Sequence, residues 1–466
     1  MLPSIFDPFV KNRPLSVMAR GAMERLLSPL WINRVFAKMS DGQYTRDLLF
    51  SSVFGLMIRV VLSQAKSIRY AYMDQAEDIV VSLTSVYNKL NGVSPAASAS
   101  LVRESGLIFT EAIDQVEGRN PPLLPGFTVF IVDGNAFPAT EHRIDELRTV
   151  SAGPLPGKAL VVFNPDLGCV IDMVPCEDAH TQERKILVGL LPMAKRGQLW
   201  LADRNFTTRR FLFGLATRRA AFLVREHKQL PVEDLGPVRY VGETETGTVF
   251  EQAVRLHPGD EEKDGQTDKK AKPQEPLTLR RVIVRLKDRT RDGDKEIQLL
   301  TNLPKSIKAT TLADLYRKRG KIETAFQELK QDFNSEIKTL GYPRAAIFAF
   351  ATALVAYNVM ALVKGTLRAY HGAEKIENEL SAYYVAAELE RSYDGMMTAI
   401  PGEHWYVFAE MTHEEFAGVL VSLAEKVDLK KYPKSRRGPK KPRPERIFDP
   451  KTPHVSTARI LAGRKR

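Results

Sequence analysis

The sequence predicts an α/β protein in which a mixed sheet is embedded between helical regions. Three observations lead there: apolar residues at helical spacing over the first 118 positions, short β-branched runs with turn residues between them from 127 to 227, and helical texture resuming at Thr311. With 466 residues, 44% of them apolar and 27% charged, the chain can build a sizeable core and more than one domain. Wholesale disorder is excluded.

Residues 1–119 read as a helical N-terminal domain, expected to bind DNA. Leu48, Leu49, Val53, Leu56, Met57 and Val60 fall at helical spacing. Val86 to Ser105 has the weak outline of a helix-turn-helix around an Asn-Gly pair, and an ordinary helical hairpin is the favoured reading. The Pro-rich stretch NPPLLPG, 120–126, marks a boundary. FTVFIVDG, KALVVFNPDLG and CVIDMVPCED then read as three strands, TQERKILVGLLPMAK as a helix, QLWLADRNF as a strand, TTRRFLFGLATRR as a helix and AAFLVREH as a strand. That order is ribonuclease-H-like, so 127–227 is expected to be the first part of a ribonuclease-H-like catalytic domain.

Residues 228–303 read as a β-rich insertion containing a polar low-complexity loop, GDEEKDGQTDKKAKPQEP. In its second strand-like run, Val282, Val284 and Leu286 alternate with Arg281, Ile283, Arg285 and Lys287, an apolar face backed by a mostly basic one. Residues 304–370 complete the catalytic domain, 371–429 form a C-terminal helical region, and 430–466 form a basic flexible tail. Residues 345–363 carry no charge, a length close to a membrane span, but polar Thr352, Tyr357 and Asn358 interrupt them. A buried helix is the expected reading, with no membrane partner.

The net charge of +12 is unevenly spread. Residues 430–466 hold 14 Lys/Arg against Glu445 and Asp449, so the rest of the chain is neutral. A basic tail on a neutral body points to a polyanion, nucleic acid before membrane. Cys169 and Cys176 are too few for a disulfide scaffold and fit a reducing cytoplasm, and the N-terminus shows no secretory pattern.

Chemistry concentrates in YRKRGKIETAFQELK, 316–330. On one continuous helix, Tyr316, Arg319, Glu323 and Lys330 share a sector of roughly 60°. Alone, this is an exposed face with an Arg319–Glu323 pair worth tenths of a kcal/mol. Asp133 and Asp203, each closing an apolar run, change the reading. Two carboxylates on neighbouring strands, with Glu323 packed across, repel one another unless cations intervene. Three carboxylates holding two Mg²⁺ ions about 4 Å apart can activate an attacking hydroxyl and stabilise the departing oxygen in phosphoryl transfer.

Asp133-Gly134, the run from Trp200 through Asp203-Arg204 to Phe206, and Tyr316-x2-Arg319-x3-Glu323-x6-Lys330 together resemble the DDE transposases of bacterial insertion sequences, in particular the large family four with its Tyr–Arg–Glu–Lys signature. The resemblance covers roughly 127–365. It implies that Asp133, Asp203 and Glu323 are the catalytic, metal-binding triad, that Tyr316, Arg319 and Lys330 contact DNA phosphates with Arg204 beside them, and that two Mg²⁺ ions serve as cofactor, with Mn²⁺ able to substitute. It also implies a homodimer that pairs double-stranded transposon ends and inserts them into target DNA by cut-and-paste transposition, in the cytoplasm at the nucleoid. Relatives with this insertion hold a flipped base on an aromatic there. Tyr240 and Phe250 are present without a Trp, and that role stays unassigned.

Other constellations fail. GPLPGKA, 153–159, is one residue short of a P-loop and lacks the hydroxyl after Lys158, while Cys169, Cys176 and His180 lack paired zinc-ligand spacing. Glu141-His142-Arg143 is either cleft lining or a surface turn. Two rivals stand beside a transposase: a ribonuclease-H-like nuclease that cuts without joining, and a catalytically silent end-binding regulator.

Overall fold

The computed structural model describes residues 2–39, 47–76, 79–141, 144–148, 152–259, 275–290, 293–435 and 454–463. Seven helices open the chain: α1 (Asp7–Asn12), α2 (Pro14–Leu26), α3 (Pro29–Met39), α4 (Phe50–Val61), α5 (Ile68–Asp74), α6 (Leu83–Gly92) and α7 (Pro95–Gln115). Ser67, Ser82 and Ser94 cap the last three by accepting a backbone N–H, and Pro95 follows its cap where no donor is needed. The strands β1 (Thr128–Ala136), β2 (Pro154–Leu155), β3 (Lys158–Asn164) and β4 (Cys169–Cys176) come next, then α8 (Glu183–Ile186), β5 (Gln198–Ala202), α9 (Arg209–Thr217) and β6 (Ala221–Arg225). The expected helix over TQERKILVGLLPMAK is α8 followed by a 3-10 stretch, Leu187–Met193, because Pro192 cannot donate into an α ladder.

The insertion supplies β7 (Glu233–Asp234), β8 (Arg239–Thr244), β9 (Gly247–Leu256), β10 (Leu277–Leu286) and β11 (Glu296–Thr301). It does not stand apart as its own layer. β11 pairs antiparallel with β6, giving one ten-stranded sheet in the order β4-β3-β1-β5-β6-β11-β10-β9-β7, with β8 on β9. β1, β5 and β6 are parallel, and β3 and β4 antiparallel, matching the expected element order. The basic face of β10 is neutralised within the sheet: Arg281 binds Glu226 and Asp234, and Arg285 lies by Glu296 and over the Phe250 ring.

The remaining helices are α10 (Ala309–Arg317), α11 (Gly320–Gln331), α12 (Pro343–His371), α13 (Ala373–Glu379), α14 (Ala382–Ala399), α15 (Gly402–Glu410) and α16 (His413–Glu425). α12 contains the uncharged run and is the central helix of the molecule, with 94% of its most apolar window buried. The Asn358 amide, fully buried, donates to the Val170 carbonyl (2.7 Å) and accepts from the Val170 N–H (2.8 Å), which docks α12 onto β4 and leaves no polar group unpaired there.

Alternation along the strands divides the core. Val129, Ile131, Val161, Leu199 and Leu201 face α7 and α12, while Phe130, Val132, Leu160, Trp200 and Phe222 face α9 and the 3-10 stretch. The first cluster runs on without a break from Phe6 to Tyr432. The N-terminal helices therefore share one core with the sheet and α12. The helix-turn-helix outline fails for the same reason: α7, its second helix, is buried between β4 and α12. Gly106 shows how closely it is seated, since a Cβ there would lie 2.9 Å from the Ile171 Cα.

In the expected flexible tail, Val455–Ser456 forms β12 on β2, and Thr457–Gly463 forms helix α17. Arg459 pairs with Asp178 at 2.7 Å. This stretch has a backbone partner, and so is ordered where composition alone suggested no structure. The Pro- and Lys-rich residues 436–453, most of the loop GDEEKDGQTDKKAKPQEP, and His142-Arg143 lie outside the described residues.

Candidate active site

β1 and β5 are parallel neighbours whose last paired residues are Val132 and Ala202. Asp133 and Asp203 follow directly, at the point where this pairing stops. β1 itself continues to Ala136 against β3, so Asp133 sits in the fork between strands and not at a strand end as the apolar run suggested. Asp133 accepts from the Gly134 N–H at 2.9 Å. Asp203 accepts from the Arg204 N–H at 2.6 Å and caps a 3-10 turn, Arg204–Phe206.

The helix expected over 316–330 is two helices. α10 ends at Arg317, and Lys318 and Arg319 bond back three residues instead of four before α11 starts at Gly320. This break turns Arg319 inward. Its Nη1 lies 3.4 Å from Asp133 Oδ2 and its Nη2 2.6 Å from Glu323 Oε1, with the side chain only 18% exposed. Arg319 thus ties the first acid to the third. Tyr316 is 9% exposed and its hydroxyl donates to the Ala202 carbonyl at 3.4 Å, one residue before Asp203. Burial pushes that phenol well above its ordinary range. Lys330 lies elsewhere: at the far end of α11 it is 63% exposed and pairs with Glu336 at 2.7 Å. Arg204 is half-buried beside Asp203.

Burial raises the Asp133 carboxyl to about 6; Arg319 and the Gly134 N–H pull it down, while Glu323 and Asp203 push it up. A carboxylate with so much charge left uncompensated suits a hard divalent cation, and three carboxylate oxygens are the donor set such an ion takes. Among the described residues no three acid, His or Cys side chains converge closely enough to grip an ion as they stand. The guanidinium between Asp133 and Glu323 fills that place.

Sequence reasoning missed Glu183, at the start of α8. Its carboxylate lies against Gly134, the residue after Asp133. No local pattern signals this, because Gly134 and Glu183 are far apart in the sequence. A cavity of about 400 Å³ also opens between the insertion and α10, lined by Thr246, Val284, Leu286, Ile297, Tyr316 and Arg317. Cys169 is buried, its thiol pushed up to about 12 by burial, while Cys176 is half-buried and donates to the Asp178 carbonyl.

The mixed sheet thus brings two aspartates to the fork of adjoining parallel strands, and α11 carries a glutamate that shares Arg319 with the first of them. The chain belongs to the family of transposase DDE domains, whose family model matches residues 125–359, from the entry into β1 to the middle of α12. It is a DDE transposase, an enzyme acting on DNA. No curated protein sequence matches the chain. Among solved structures it is similar to a piggyBac transposase synaptic complex with hairpin DNA, at 11% identity and a TM-score of 0.36, over 94% of this chain and 89% of that one.

Proposed function

We propose that this transposase cuts DNA at the ends of an insertion element of family four and joins the freed 3′-hydroxyls to target DNA, using a ribonuclease-H-like active site of Asp133, Asp203 and Glu323. The observation that carries the reading is the fork: two half-buried acids at the end of the β1–β5 pairing, with Glu323 tied to the first of them through Arg319. The three acids would hold two Mg²⁺ ions, with Mn²⁺ able to substitute; when bound, these activate the attacking hydroxyl and stabilise the departing oxygen.

The rest of the work falls to the chain. Tyr316, through its bond to the Ala202 carbonyl, fixes the turn that presents Asp203. Arg319 carries a planar fork able to grip a backbone phosphate, and Arg204 and Lys330 add charge along the DNA path. The basic residues of 430–466 supply sequence-independent affinity for double-stranded DNA. Two copies of the chain would pair the two ends, in the cytoplasm at the nucleoid. Incubating the protein with Mg²⁺ and a plasmid carrying the element tests this reading. Excised element and joined product are expected; cutting without joining would leave only a nuclease, and end binding without cutting only a regulator.

A further inference from the structure

Arg319 spends its guanidinium on two acids from different elements, Asp133 on β1 and Glu323 on α11, and does so inside the cluster, 18% exposed. Asp203 and the Tyr316 ring are its other neighbours. A divalent cation bound by Asp133 and Glu323 would draw on the same two carboxylates, and a guanidinium left beside them would repel it. The two cations are therefore alternatives. What can draw the guanidinium out is another oxyanion presented as a planar pair of oxygens, and a DNA phosphodiester is such a group.

Resting on the proposed triad, we infer that Arg319 is a built-in counter-ion that competes with the divalent cation for Asp133 and Glu323, so that metal loading is coupled to DNA. A backbone phosphate that takes the guanidinium frees both carboxylates. By linkage the coupling is reciprocal: DNA tightens metal binding by the same factor by which metal tightens DNA binding. Without DNA the guanidinium partly offsets Asp133 and Glu323 and metal binds weakly, which restrains cleavage away from the substrate.

Mn²⁺ titration of the full chain, read by the electron-paramagnetic-resonance signal of free Mn²⁺, tests this without any activity. Arg319→Ala should bind Mn²⁺ more tightly than wild type in the absence of DNA, by roughly 5- to 150-fold, the usual span of coupling between two sites. Arg319→Lys, which keeps the charge but not the fork, should fall between them. A pre-cut end duplex should tighten Mn²⁺ binding to wild type and leave Arg319→Ala unchanged; this wild-type arm holds even if the alanine variant fails to fold. A merely structural bridge would lower the melting temperature of Arg319→Ala and leave Mn²⁺ affinity at the wild-type level, which overturns the inference. Controls separate the two readings. If Asp133→Asn and Glu323→Gln lose Mn²⁺ while Arg319→Ala gains none, the triad stands and the competition falls. If neither acid variant changes Mn²⁺ affinity, both fall.

Discussion

Replacing Asp133 by Asn removes the most strained charge in the site, and its effect should depend on pH in a defined direction. The carboxyl ordinarily titrates at 3.8 and in the folded protein at about 6, with burial the main cause and Arg319, Glu323, Asp203 and the Gly134 N–H the groups that face it. A folded-state value above the unfolded one means that ionisation opposes folding. The stabilising contribution is present in full below the unfolded value and is lost as pH rises through about 6. A rise of about two pH units corresponds to about 3 kcal/mol. For 466 residues, with an unfolding entropy near 2 cal/mol/K per residue, that is about 3 °C in melting temperature. In metal-free buffer, Asp133→Asn should therefore melt level with wild type near pH 4 and about 3 °C above it at pH 7.5. Added Mg²⁺ should raise the wild type and narrow the gap. Paired melting curves across pH 4–8 measure this directly. A difference that stays flat with pH, or an Asn variant that loses ground as pH rises, would refute the reasoning.

Other consequences concern packing and charge. Gly106→Ala should destabilise by about 1–3 kcal/mol because the added methyl meets the backbone of β4, whereas Gly395→Ala, with open space around it, should stabilise by about 0.5–1 kcal/mol; denaturant unfolding of the pair checks the opposite signs. Asn358→Ala strands the Val170 N–H and carbonyl in the core and should cost about 2–5 kcal/mol, read as loss of soluble protein or a sharply lowered midpoint. Truncation after Ser435, which spares the buried Tyr432, should weaken binding to any duplex and flatten the slope of log K against log salt. An unchanged slope would mean that the tail leaves DNA alone.

Local pattern was enough for what is local. Apolar β-branched runs located β1, β3, β5 and β6 within a few residues, and the uncharged run of α12 was legible as a buried helix because Thr352 and Asn358 sit in it. The joining of the insertion to the sheet was not legible, since nothing in β11 names β6 as its edge partner. The seating of α7 was not legible either: its small residues Ala97, Ser98 and Gly106 are buried, and Gly106 lets it lie close on β4. At the site, residue types and order were visible, but not their orientation. A single-helix projection put Tyr316, Arg319, Glu323 and Lys330 on one stripe; the first three do meet beside Asp133, whereas Lys330, two turns further along α11, is at the surface with Glu336. Glu183 was invisible because its place beside Gly134 comes from the packing of α8 on β1 and not from any local pattern.

The central claim is that Asp133, Asp203 and Glu323 act as one catalytic set, and a cleavage assay on end-containing DNA in Mg²⁺ tests it most directly, with each residue changed to Ala in turn and a gel shift and melting curve run alongside. Losing one ligand leaves the ions poorly held, and one cluster serves every step. All three variants should lose both cleavage and strand transfer, by several orders of magnitude, while still folding and still shifting end DNA. Wild-type cleavage in any one of them would contradict the claim and remove that residue from the set.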